Sequence, residues 1–150
     1  MITKEQNINK KCLFCVSDYH LEMILLPYII EKKDEFKAIV FTESNLEESI
    51  NILLTKVILK EEDKKIIKNI DWNKNDSLKF EQIEEIKDNK LNIIINGSYE
   101  YIKIINKKLE GIINKNTEIV DCFHIGSQDI NVSELSKKYN CILNTKKYNK

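Results

Sequence analysis

Leu91-Asn92-Ile93-Ile94-Ile95-Asn96 is the stretch whose reading decides the fold. Its centre is apolar without alternation. A strand open to water on one face alternates apolar and polar residues. A short run that is apolar throughout belongs to a strand covered on both faces, the situation of a parallel sheet. Lys11 to Ser17 (KCLFCVS), Phe36 to Thr42 (FKAIVFT) and Glu118 to Phe123 (EIVDCF) read the same way, and Cys141 to Asn144 (CILN) is a shorter example. Helical patterns lie between these runs. Strand, helix, strand, helix with buried strands implies right-handed crossovers. The expected fold is therefore α/β, a Rossmann-like three-layer arrangement with a mainly parallel sheet of about five strands and helices on both faces.

Working outward, Tyr19 to about Lys33 carries Leu21, Ile24, Leu25, Tyr28 and Ile29 at helical spacing, with Ser17 or Asp18 placed to cap it. Pro27 removes one backbone donor, so a kink or break is expected there. Met23, Leu26 and Ile30 widen the apolar face; such a helix is either covered on two sides or a self-association surface. Ser44-Asn45-Leu46-Glu47 has capping-box spacing, ahead of a face made by Leu46, Ile50, Leu53, Leu54 and Val57. Helices follow at Lys60 to Ile70 and around Phe80, Ile83 and Ile86, joined by an extended or strand-like Asp71-Trp72-Asn73. Further helices are expected through Ile102, Ile105, Leu109, Ile112 and Ile113, and from Val132 to Tyr139. With no repeat and no Pro/Gly-rich linker, residues 1–150 read as one domain, with 1–9 and 146–150 flexible.

The chain has 150 residues, 24 of them basic and 24 acidic. Every basic residue is lysine; there are 26 isoleucines, 17 asparagines and one alanine, the bias of A/T-rich codons. Without arginine there is no planar fork for phosphate or guanine, and a net charge of zero disfavours nucleic acid as a partner. No apolar run approaches the roughly 20 residues of a membrane span, and the polar start MITKEQNINKK lacks a signal-peptide core. A cytoplasmic location is the expectation.

Cys12 and Cys15 have C-x-x-C spacing but lie inside a strand, where residues three apart face opposite ways. Buried thiols are expected rather than redox or zinc chemistry. Zinc would need two further ligands, which Cys122 and His124 could supply only from an adjacent, correctly facing strand.

In open parallel sheets ligands bind beyond the carboxyl ends of the strands, where strand order reverses. The residues there are Ser17, Asp18 and His20; Thr42 and Glu43; Asn96, Gly97 and Ser98; and Asp121, His124 and Gly126. Ser17, Asp18, Asn96, Gly97, Ser98 and His124 form the candidate crevice. The Asn96-Gly97-Ser98 turn is the best place for a small anion or nucleotide phosphate, because glycine allows close approach and a helix N-terminus offers free N–H groups. The competing reading is an ordinary turn with Ser98 as cap. No G-x-G-x-x-G or Walker A loop exists among three glycines, so no cofactor is implied. His20 and His124, with Asp18 or Asp121 to orient a ring and Ser17 or Ser98 nearby, could support acid–base or nucleophilic chemistry, although no nucleophile elbow is present. The mixed charges of Glu61 to Lys68 read as a solvated face, and Trp72 as a core residue. The segment from Lys60 to Asp88 and the greasy first helix are the candidate partner surfaces, the latter for a homodimer.

Cys12-Leu13-Phe14, Ser17-Asp18, Leu25-Leu26-Pro27-Tyr28-Ile29 and Ala38-Ile39-Val40-Phe41, in that order, resemble the opening of MEDS-type sensory domains, RecA-like modules without a working P-loop. The likeness covers the first third of the chain. The later strands do not match, and no functional residue carries across. The chain also resembles small α/β proteins of A/T-rich Gram-positive anaerobes. The resemblance implies a sensory or regulatory module. The readings carried forward are a non-catalytic regulatory, sensory or partner-binding module, an anion- or nucleotide-binding domain, and a small enzyme using Ser17, Asp18, Ser98 and His124.

Overall fold

Leu91–Gly97 is a strand buried at every residue, as its unbroken apolar run requires. The computed structural model describes residues 8–86, 89–113, 116–125 and 131–144. Their elements are β1 (Asn9–Cys15), α1 (Asp18–Lys32), β2 (Lys37–Thr42), α2 (Glu47–Leu54), α3 (Glu61–Lys68), α4 (Asp76–Ile86), β3 (Leu91–Gly97), α5 (Tyr99–Leu109), β4 (Glu118–His124), α6 (Val132–Ser136) and β5 (Cys141–Leu143). The five strands form one sheet in the order β2-β3-β4-β1-β5, and every pairing is parallel. The fold is the expected Rossmann-like α/β sandwich of three layers.

Alternation along each strand sends side chains to two separate cores. Leu13, Cys15, Val40, Ile94, Val120 and Cys122 pack with α1, α2 and α3. Cys12, Phe41, Ile93, Ile95, Ile119 and Phe123 pack with α4, α5 and the residues around α6. Crossover handedness explains the division. The step from β1 to β2 moves one way along the sheet and puts α1 on one face. The steps from β3 to β4 and from β4 to β5 move the other way and put α5 and α6 on the opposite face. The link between β2 and β3 uses both layers: α2 and α3 lie on the first, α4 on the second.

The greasiness of α1 is answered inside the chain. Leu21, Ile24, Leu25, Leu26, Tyr28 and Ile29 are all buried against the sheet, α2 and α3. The five aliphatic side chains alone contribute roughly 10 kcal/mol of gross burial free energy, before ordering entropy offsets most of it. This face is therefore covered within the chain. Helix α1 also runs unbroken through Pro27; packing on two sides holds the turn that has lost a backbone donor.

Several boundaries differ from expectation. β1 begins at Asn9 and ends at Cys15, because the Asn9 and Lys10 backbones extend the ladder to Glu118 and Ile119. Asn9 is thus a strand residue rather than part of a flexible leader; residues 1–7 and 145–150 lie outside the described ones. The capping box does not form. Leu46 is the α2 N-cap and gives no side-chain bond. Its N–H donates instead to Trp72 O at 2.8 Å, and Asn45 Oδ1 accepts from Lys74 N at 2.7 Å. The sequence 44–47 is thus used to anchor the link that leads to α4. Trp72 is a core residue, its indole N–H donating to Ile67 O. α6 is shorter than expected, at Val132–Ser136. No described helix is long and apolar enough to cross a membrane.

Candidate functional site

The carboxyl ends of four strands meet at a crevice of about 400 Å³ lined by Asp18, Glu43, Ser44, Asn96, Gly97, Ser98 and His124. The topology places it there. The chain leaves β1 and β2 toward one helical layer and β3 and β4 toward the other, so the loops part and leave a gap.

Its central feature is a relay of hydrogen bonds. The Thr42 hydroxyl donates to Ser44 O, so its oxygen accepts from Asn96 Nδ2 at 3.1 Å. That fixes the Asn96 amide and turns Oδ1 toward His124 Nε2, 2.7 Å away. An amide oxygen only accepts, so Nε2 carries the proton. In neutral His124 the lone pair is then on Nδ1, which has no partner among the described residues. Thr42 and Asn96 are both buried, which makes the relay rigid.

The second feature is the start of α5. Ser98 is its N-cap, and Ser98 Oγ accepts from Tyr101 N at 3.1 Å. The Ser98 N–H is not free for an anion: it donates to Glu43 Oε1 at 2.8 Å. Gly97 makes that approach feasible. It belongs to β3 rather than to a tight turn and has no positive φ. A Cβ there would stand 2.6 Å from Tyr101 Cδ2 and 2.8 Å from Glu43 Oε1. The Tyr101 hydroxyl donates to Asp76, so its ring has little room to yield.

Of the expected site residues, Asp18, Asn96, Gly97, Ser98 and His124 line one crevice. Ser17 does not. Its side chain caps α1 and accepts from His20 N at 3.1 Å. His20 turns back to accept from Val16 N on Nδ1 and does not line the crevice, so the two histidines are not paired there. Asp121 does not orient His124. Its side chain lies on the opposite core, bonded by Asn106 Nδ2 and the Tyr139 hydroxyl; Asn96 takes the orienting role. Gly126 lies outside the described residues. Ser44 is a lining residue that sequence reasoning missed, since nothing local places it opposite Asn96.

The other end of the sheet holds a denser polar cluster. Glu118 is buried and receives the Tyr28 hydroxyl, Asn9 Nδ2 at 3.3 Å and Lys11 Nζ at 3.2 Å. The same hydroxyl oxygen lies 2.9 Å from Asn92 Oδ1, so the two acceptors share one proton. The buried carboxylate is thus matched by a cation and by hydrogen bonds, as burial of charge demands.

The C-x-x-C pair behaves as strand geometry dictates. Cys12 faces the core of α4, α5 and α6; Cys15 faces that of α1, α2 and α3. None of the four cysteines forms a disulfide. Burial, seconded by the Asp121 carboxylate for Cys12 and the Asp18 carboxylate for Cys15, pushes both thiols up to about 12. Cys122 is pushed well above the usual thiol range by complete burial. These are protonated, unreactive thiols. Although β4 does lie beside β1, no group of three or more His, Cys, Asp or Glu among the described residues could hold a metal ion.

Comparison with known proteins returned no matching family model, no matching curated protein and no matching solved structure.

Proposed function

We propose that the chain is a non-catalytic regulatory module whose crevice takes a small polar ligand rich in hydrogen-bond donors, cationic or neutral. The observation that carries this reading is the balance of donors and acceptors at the rim. One amide hydrogen of Asn96, the Nε2–H of His124 and the N–H groups of Ser44, Ser98 and Tyr101 are spent inside the fold. The Asp18 carboxylate, the second oxygen of Glu43 and Nδ1 of His124 remain as acceptors. Among the described residues no lysine lines the crevice. A phosphate would have to displace Glu43 from Ser98 and lie among carboxylates, which disfavours the anion or nucleotide reading. Ammonium, amidine or polyol groups would complete the bonding. The MEDS-type resemblance fits a sensory role, and buried Cys12, Cys15 and Cys122 without disulfides fit a reducing, cytoplasmic setting.

The enzyme reading has one observation in its favour, the fixed tautomer of His124, which leaves Nδ1 free as a base. Neither serine expected to serve it is placed as a nucleophile: Ser98 is engaged as a helix cap, and Ser17, also a cap, lies outside the crevice.

A thermal-shift panel of amines, amino alcohols, polyols, nucleosides and phosphorylated metabolites tests the proposal. Amines or polyols should raise Tm, with the rise lost in Glu43→Gln and His124→Ala. A flat panel, or a response confined to phosphorylated compounds, overturns it.

A further inference from the structure

A cavity of about 670 Å³ lies where the two helical layers overhang β2, the last strand on that side of the sheet among the described residues. Ile29 of α1, Ile66 of α3 and Ile70 just after it form one wall; Ile86 of α4 stands on the other, and Phe36 and Ala38 close the floor. The overhang also covers the strand itself, since Ile39, Val40 and Phe41 are buried. The space therefore suits a small molecule, and its size is that of a ligand pocket. It borders the amino-terminal half of β2 and Asn92 of β3, whereas the crevice lies beyond the carboxyl ends of the strands, so the two sites are separate.

Lys79 decides the chemistry of the occupant. It lines the cavity from α4, on the same helix face as Ile86 two turns later, and is 1% exposed. An ammonium has three N–H donors; among the described residues Lys79 meets one acceptor, the neutral carbonyl of Asn73. The two carboxylates that act on it are bonded elsewhere. Asp71 receives Asn73 N and Asn75 Nδ2, and Asp76 receives the Tyr101 hydroxyl. Burial pushes the Lys79 ammonium below the usual lysine range, against the pull of both acids. A buried cation is ordinarily matched by an anion in contact with it, and the described residues supply none. The rest of the lining has the same sign. Lys32, Lys33 and Lys37 stand on the β2 side, against Asp71 and Glu85 as the acids. Lys33 pairs with Asp63 and Lys32 lies 3.9 Å from Glu118, so Lys79 is the buried charge left for a ligand, and Lys37 an exposed one at the mouth. Apolar walls around one buried ammonium match an apolar chain ending in a single negative charge.

We propose that this cavity binds a medium-chain aliphatic carboxylate, its head group against Lys79 and its chain between Ile29, Ile66, Ile70 and Ile86. The carboxylate supplies the contact ion that the buried ammonium lacks, and the chain draws its affinity from the isoleucine walls.

The test uses the full chain with octanoate, 1-octanol, octylammonium and acetate, read by calorimetric titration and by isoleucine methyl resonances. Octanoate should bind and shift Ile66, Ile70 and Ile86. Octanol keeps the chain and loses the charge, so it should bind roughly tenfold more weakly; octylammonium and acetate should give no response. Lys79→Met removes the ammonium at similar volume, and octanoate should then fall to the level of octanol. Ile66 is half-buried on the wall, so Ile66→Trp should fold with an unchanged thermal midpoint and block octanoate, a result that does not depend on the folding of Lys79→Met. His124→Ala and Glu43→Gln should leave octanoate binding unchanged, which separates a failure here from a failure of the crevice reading. A flat octanoate titration, octanol or octylammonium binding as tightly as octanoate, full octanoate affinity in folded Lys79→Met, or shifts confined to the crevice residues would each overturn the proposal.

Discussion

The two ends of the sheet use buried polar groups in opposite ways. At the amino end Glu118 is surrounded by Tyr28, Asn9 and Lys11; charge and hydrogen bonds are matched within the chain. At the carboxyl end the Thr42–Asn96–His124 relay joins a hydroxyl, an amide and an imidazole, and the carboxylates of Asp18 and Glu43 line an open crevice that no lysine lines among the described residues. The first arrangement is closed and can only stabilise. The second holds a few atoms rigidly and leaves acceptors facing outward, which is what a binding site requires.

That contrast can be broken by mutation, and the largest effect should come from the closed end. Lys11→Met leaves the buried Glu118 with only a distant lysine, and should cost about 3 kcal/mol in urea unfolding while leaving ligand response at the crevice intact. Loss of binding at unchanged stability would refute the division. Gly97→Ala at the open end should cost about 2 kcal/mol, because the new methyl meets Tyr101 and Glu43; it should also abolish the crevice response. His124→Ala, at the half-buried mouth, should move stability by less than about 1 kcal/mol and still remove the response.

Glu22 sharpens the comparison from outside both ends. It is fully buried on α1, and among the described residues neither carboxylate oxygen has a partner at full hydrogen-bond geometry, the nearby Ser49 hydroxyl giving only partial compensation. Burial raises its pKa above 4.5, with Ser49 opposing the shift and Asp18 adding to it. The folded state therefore holds this proton more tightly than the unfolded chain. Stability from this group is present at low pH and is lost as pH rises from near 4.5 through the raised folded value. Glu22→Gln should raise stability at neutral pH by about 1 kcal/mol, and the gain should vanish in acid. Urea titrations of both proteins across pH check this; a gain independent of pH would show that folding does not shift the Glu22 pKa.

Much of the architecture was legible because it is written locally. LNIIIN and KCLFCVS are too apolar for a half-solvated strand, and both became interior strands. Ser17 and Ser98 stand where helices begin and cap them. The divergence of Cys12 and Cys15 follows from strand geometry alone. What escaped is long-range. Ser44-Asn45-Leu46-Glu47 has the right spacing for a capping box, but the Trp72 carbonyl and Lys74 N–H compete for the same segment and win. The partners of Glu43 and Asn96 lie 55 and 54 residues away, so neither the occupied helix start nor the fixed histidine could be foreseen. Charged residues on apolar faces were the other blind spot. Lys79 belongs to the buried stripe of α4 and donates to Asn73 O; Asp63, one of the charges that read as a solvated face, is buried and held by Lys33.

The placement of the thiols carries a practical consequence. Cys12 lies beneath one helical layer and Cys15 and Cys122 beneath the other, all with no exposure. Pulsed alkylation followed by peptide mapping would thus time the lifting of each layer separately in the wild-type chain, with the half-exposed Cys141 as an internal clock for reagent access. Modification of all three at one rate would mean that the sandwich opens as a single cooperative unit.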